Sequence, residues 1–190
     1  MKYSDIYRLY STSQPKDAIH QALREVPVDD SDEQYEDRSP LHLACQYGDT
    51  EGVKILLERD AEPNTKDANG STPIHILGRT SAGCADEDKL KEIAVMLIEQ
   101  GANIPRSAKN TTALIECIRN RHFKMAEAII DSGARVNSTD LNGENVLFGF
   151  CAASGDIRRD IRFAKKELDE SVQYRYPENK IEEIRSRIAR

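Results

Sequence analysis

Ser39-Pro40-Leu41-His42-Leu43-Ala44 returns as Thr72-Pro73-Ile74-His75-Ile76-Leu77, a spacing of 33 residues. Thr112-Ala113-Leu114-Ile115 follows 40 residues later, and Asn145-Val146-Leu147-Phe148 another 33 after that. The blocks also close alike: Asp60-Ala61-Glu62-Pro63-Asn64, Gly101-Ala102-Asn103-Ile104 and Gly133-Ala134-Arg135-Val136-Asn137. A fixed period of this length marks a stack of small units, none able to bury its apolar face alone. Such stacks are surfaces more often than catalysts.

The period and the Thr-Pro-Leu-His type of signature resemble the ankyrin repeat, a β-turn followed by two antiparallel helices. The resemblance covers roughly residues 37–155. The third repeat lacks the Pro and the His, and the fourth keeps only Asp140-Leu141-Asn142-Gly143 and an apolar run. It implies an all-α solenoid with helical N- and C-terminal caps. It further implies that His42 and His75 tie neighbouring turns together by hydrogen bonds to backbone groups. Their equivalents Ile115 and Phe148 are not ligands, so no metal row is expected.

With 32% charged against 38% hydrophobic and 6% aromatic residues and no Trp, the 190-residue chain suits a thin, solvated stack rather than a thick globule. A net charge of −6 argues against nucleic acid, which needs a basic footprint. No apolar run approaches the ~18–20 residues of a membrane span, and the N-terminus lacks an apolar signal region. A cytoplasmic location is expected, and a secreted effector stays open. Cys45, Cys117 and Cys151 fall inside first helices, where small apolar residues are wanted, so free core thiols are expected rather than disulfides or zinc. Cys84 lies in a loop.

Residues 1–36 read as a helix pair forming an N-terminal cap, with Ser4 capping a helix carrying Ile6, Leu9 and Tyr10. Repeat 1 spans 37–66, repeat 2 spans 67–106 and repeat 3 spans 107–139. Repeat 2 carries an insertion at 78–88, read either as a binding loop or as a tolerated surface insertion that adds little to stability. A degenerate fourth repeat with capping helices spans 140–190, and its seam of Ile157, Ile161, Leu168 and Val172 also fits self-association. Glu116 stands where earlier repeats have Leu43 and Ile76, so it needs a partner or a path to solvent.

No GxSxG, HExxH, P-loop or CxxC pattern is present, and His20 and His122 read as surface residues. The expected function is a non-catalytic protein-binding scaffold without cofactor, metal or membrane contact, working as a monomer. The alternative is self-assembly through the C-terminal helices. The concave side would bind the partner through Arg38, Gln46, Tyr47, Asn69, Ser71, Arg79, Lys109, Thr111, Arg119, Asn120 and His122. The basic group of Arg79, Arg119, Arg121, His122 and Lys124 suits an acidic partner segment, with Arg79 and Arg119 as its anchors.

Overall fold

A computed structural model describes residues 1–80, 86–103 and 112–134. Expectations about Cys84, Lys109, Thr111, Cys151 and all of 140–190 lie outside the described residues. The described helices are α1 (Tyr3–Ser11), α2 (Lys16–Glu25), α3 (Pro40–Gln46), α4 (Thr50–Leu57), α5 (Pro73–Gly78), α6 (Glu87–Glu99), α7 (Ala113–Arg119) and α8 (Phe123–Asp131). One 3₁₀ turn, Glu33–Tyr35, precedes α3.

Each odd-numbered helix pairs with the even-numbered helix that follows it, and each pair stacks on the next. α1, α3, α5 and α7 form one layer; α2, α4, α6 and α8 form the other. This is the all-α solenoid implied by the resemblance. The apolar spacing explains the packing. Leu56 in α4, Ile93 and Leu97 in α6, and Ile129 in α8 are fully buried. Each such side chain contributes roughly 1.5–3 kcal/mol of burial energy.

The helices begin where the repeated motif places them. Pro40 and Pro73 occupy the first turn, where a missing N–H costs nothing. In α7 Ala113 stands at the proline position, and Thr112 caps the helix, its hydroxyl accepting the Ile115 N–H. In the turn that opens repeat 2, Gly70 takes a φ of 65°.

Two local expectations change. Ser4 does not cap α1. The cap position is Lys2, whose N–H is satisfied by the Asp5 carboxylate at 3.0 Å, so Ser4 falls inside the first turn. The ends of the 78–88 segment also belong to the packed structure. Gly78 closes α5 so near α7 that a Cβ would stand 3.1 Å from the Ala113 carbonyl oxygen. Thr80 is buried, and its carbonyl accepts from His122. Glu87 and Asp88 start α6 and reach across to Lys124 of α8. A stability-neutral insertion therefore does not extend over the whole segment.

Candidate functional site

The first-layer helices repeat one device. The residue before the helix cap meets the residue eight positions on, at the end of that helix. In the first repeat Arg38 Nη1 donates to Gln46 Oε1 at 2.8 Å; in the second, Arg79 Nη1 donates to Ser71 Oγ at 3.0 Å. Arg38 is also held by Glu36 at 2.5 Å and lies 3.6 Å from the buried Asp67 carboxylate. Arg79 Nε donates to Glu116 Oε1 at 3.0 Å. Glu116 thus finds its partner in the preceding repeat, which explains how a carboxylate replaces Leu43 and Ile76 without being stranded. Both side chains are mostly covered, at 23% and 12% exposure.

That geometry sets the surroundings of the two expected anchors. Arg79 is already engaged twice within the chain; Arg119, the last residue of α7, is exposed. Lys124 pairs with Asp88 at 2.6 Å. Arg121 is exposed. The sequence-level basic cluster is therefore divided by internal ion pairs.

The histidines follow local chemistry. A carbonyl can only accept, so His42 Nε2 donates to the Ser71 carbonyl at 3.0 Å. Its Nδ1 must then accept, and the Ser39 N–H at 3.1 Å and hydroxyl at 2.9 Å both donate to it. Burial pulls the His42 imidazole down to about 4. His75 repeats the Nδ1 arrangement with Thr72. The His42 bond to Ser71 matches the turn-tying role implied by the resemblance, while the His75 contacts described are those at its own helix cap.

His20 and His122 are not free surface residues. His122 precedes α8, is 1% exposed, and donates through Nε2 to the Thr80 carbonyl at 2.6 Å. His20 Nε2 stands 3.0 Å from both oxygens of buried Asp49. The Tyr10 hydroxyl donates to the same carboxylate at 2.8 Å. Spacing alone gave no signal for this joint, because its three members come from α1, α2 and the turn before α4. Gly52 makes room for it: a Cβ there would lie 2.6 Å from Asp49 Oδ2 and 2.9 Å from the Tyr10 hydroxyl. Burial, and secondarily Asp49, pushes the Tyr10 hydroxyl far above its ordinary range.

Of the expected binding residues, Ser71 and His122 are buried and cannot offer free side chains. Arg38, Gln46, Asn69, Arg79 and Asn120 are half-buried, while Tyr47 and Arg119 are exposed. Asn120 Nδ2 donates to the Gly78 carbonyl at 3.0 Å, sewing α7 to α5. Sequence reasoning missed the tyrosines around Tyr47. Tyr10 stacks on Tyr47 with centroids 4.8 Å apart, and Tyr7 packs on Tyr35 at 4.3 Å. Tyr3 also packs on Tyr35, with centroids 5.7 Å apart. The available signal was the composition of residues 3–47, which hold five of the seven tyrosines.

Cys45 and Cys117 are buried free thiols, pushed well above the ordinary thiol range by burial. Among the described residues, no group of three or more His, Cys, Asp or Glu could hold a metal ion. Among the same residues, no helix is long and apolar enough to cross a membrane.

Comparison with known proteins places these features in context. The family described as "Ankyrin repeats (many copies)" matches residues 22–77. A Caenorhabditis elegans homolog of transient receptor potential cation channel subfamily A member 1 is 38% identical over 69 residues, 36% of this chain and 6% of that protein. Neurogenic locus notch homolog protein 1 from Mus musculus is 31% identical over 134 residues, 70% of this chain and 5% of that protein. Ankyrin repeat protein nuc-2 of Neurospora crassa is 29% identical over 124 residues, 64% of this chain and 10% of that protein. The matched stretch is thus a small part of each relative's length.

Proposed function

Because the chain is an ankyrin-repeat protein, a class that generally serves protein interaction and is generally non-catalytic, we propose that it binds a partner protein on its first-helix side. The observation that carries this reading is the placement of Gln46 with Tyr47, Arg79, and Arg119 with Asn120. They recur in register at the ends of α3, α5 and α7, three helices of one layer, which supports a shared surface. A partner would lie along this concave side, across helix ends and the turn at Asn69. The exposed Arg119 offers a contact for an acidic segment.

A binding role without catalysis fits the buried polar groups. The one histidine–carboxylate–tyrosine cluster described above lies in a helix joint, with Asp49 at 3% exposure and its carboxylate occupied by Tyr10 and His20. A monomer in a reducing compartment suits the buried free thiols.

The test is affinity capture with the intact chain, comparing Arg119→Glu and Asn69→Arg with the second-layer change Glu51→Lys. A specific captured protein should be lost with the first two and kept with the third. Loss only with Glu51→Lys would move binding to the other face.

A further inference from the structure

The stack begins with an aromatic surface edged by carboxylates. Tyr7 and Tyr35 are half-buried with rings 4.3 Å apart, and Tyr47, 37% exposed, stacks on Tyr10 and has Tyr7 as an electrostatic neighbour. Tyr47 is one of two large apolar residues left exposed among the described residues; the other is Met1. Residues 27–37 hold six acidic residues and no basic one. Asp32 caps the 3₁₀ turn that carries Tyr35, and Glu33 is exposed in that turn.

A second tyrosine feature adjoins Tyr35. The Tyr3 hydroxyl is buried without a hydrogen-bond partner among the described residues. Its electrostatic neighbours include Arg38, Tyr7, Asp32 and Tyr35.

Resting on the protein-binding reading above, we propose that this tyrosine face docks an arginine-rich segment of the partner. The guanidinium is the group that fits. It is planar and lies flat on a tyrosine ring, whose face is negative. Its N–H donors suit carboxylates such as Asp32 and Glu33 at the edge. A polyanion is repelled by the same edge. The first-helix side thus has two ends of different chemistry: aromatic and acidic at α1 and α3, with exposed Arg119 and Arg121 at α7. A partner carrying separated basic and acidic segments would be read in one orientation only.

Calorimetric titration of the full chain with an Arg-Gly repeat peptide of a dozen residues tests this. Glu-Gly and proline-rich peptides of equal length serve as comparisons. The Arg-Gly peptide should bind best. Tyr47→Ala should weaken it about five-fold, the scale of one exposed cation–π contact. Glu33→Lys should weaken it at least as much, whereas the charge-matched Glu51→Lys should leave it within about two-fold. Melting curves verify folding, and Glu33→Lys, at an exposed turn residue, keeps the test valid if Tyr47→Ala misfolds. Equal losses for Glu33→Lys and Glu51→Lys would reduce the effect to net charge and overturn the proposal. So would preference for the proline-rich peptide, or no binding of the Arg-Gly peptide. If partner capture responds to Arg119→Glu but not to Tyr47→Ala, the protein-binding reading stands and the tyrosine dock alone fails.

Discussion

Acidification should unfold the stack partly through one imidazole. His42 is neutral in the fold, with Nδ1 filled by two Ser39 donors and Nε2–H given to the Ser71 carbonyl. Protonation would bury a charge and turn both Ser39 donors against a new N–H. The folded-state value of about 4 lies below the ordinary histidine value of 6.5. Such a group contributes stability fully present above the unfolded value and lost as pH falls toward the folded one. The gap of two to three units corresponds to about 3 kcal/mol in all, of which about 2 kcal/mol is gone by about pH 5. Urea unfolding followed by circular dichroism, at about pH 7.5 and about pH 5, reads this directly. The comparison is with His42→Gln, which cannot titrate. The variant should be less stable at the higher pH, yet lose about 2 kcal/mol less than the parent on acidification. Other acid-sensitive groups are shared by both proteins and cancel. Equal losses in the two would refute the reasoning, as would an NMR titration placing the His42 imidazole near the ordinary histidine range.

Gly52→Ala should cost about 1–3 kcal/mol, because the new methyl meets an Asp49 carboxylate held by Tyr10 and His20. In an Asp49→Ala background the same change should cost much less, and additive effects in chemical denaturation would count against the crowding explanation. Arg79→Ala should destabilise by leaving Glu116 half-enclosed without its partner, and Glu116→Leu should recover much of that loss. A double-mutant cycle should give a coupling of about 0.5–3 kcal/mol, and a value near zero would mean the pair is solvent-screened.

The stacking was legible because a period is a property of the chain. Ser39 to Ala44 and Thr72 to Leu77 carry their proline, cap and imidazole at fixed offsets. The same cap contact at Nδ1 is then made twice, and the role of His42 between turns is the one the resemblance implied. The candidate site was less legible. Arg79 and Arg119 occupy matching positions, yet the single replacement of an apolar residue by Glu116 converts the first into an internal partner. His122 reads as polar among basic neighbours, and only the fold brings the Thr80 carbonyl to it across 42 residues. Tyr7, Tyr35 and Tyr47 are widely separated in sequence, and no spacing rule joins them. Helical periodicity reports which side of one helix is buried. It does not report which residues of different helices meet.

Modularity has a limit set by Asp49. Repeat arrays invite cutting and grafting, since each unit touches only its neighbours. A shortened chain beginning at residue 37 would retain the first signature intact. It would also remove both groups that satisfy a carboxylate exposed by only 3%. Arg59, whose guanidinium donates to the Leu23 and Val26 carbonyls, would lose those acceptors by the same cut. A transplant of the repeats is therefore divisible here only with a second edit. Either the leading helix pair travels with them, or Asp49 is exchanged for a residue content to end the array.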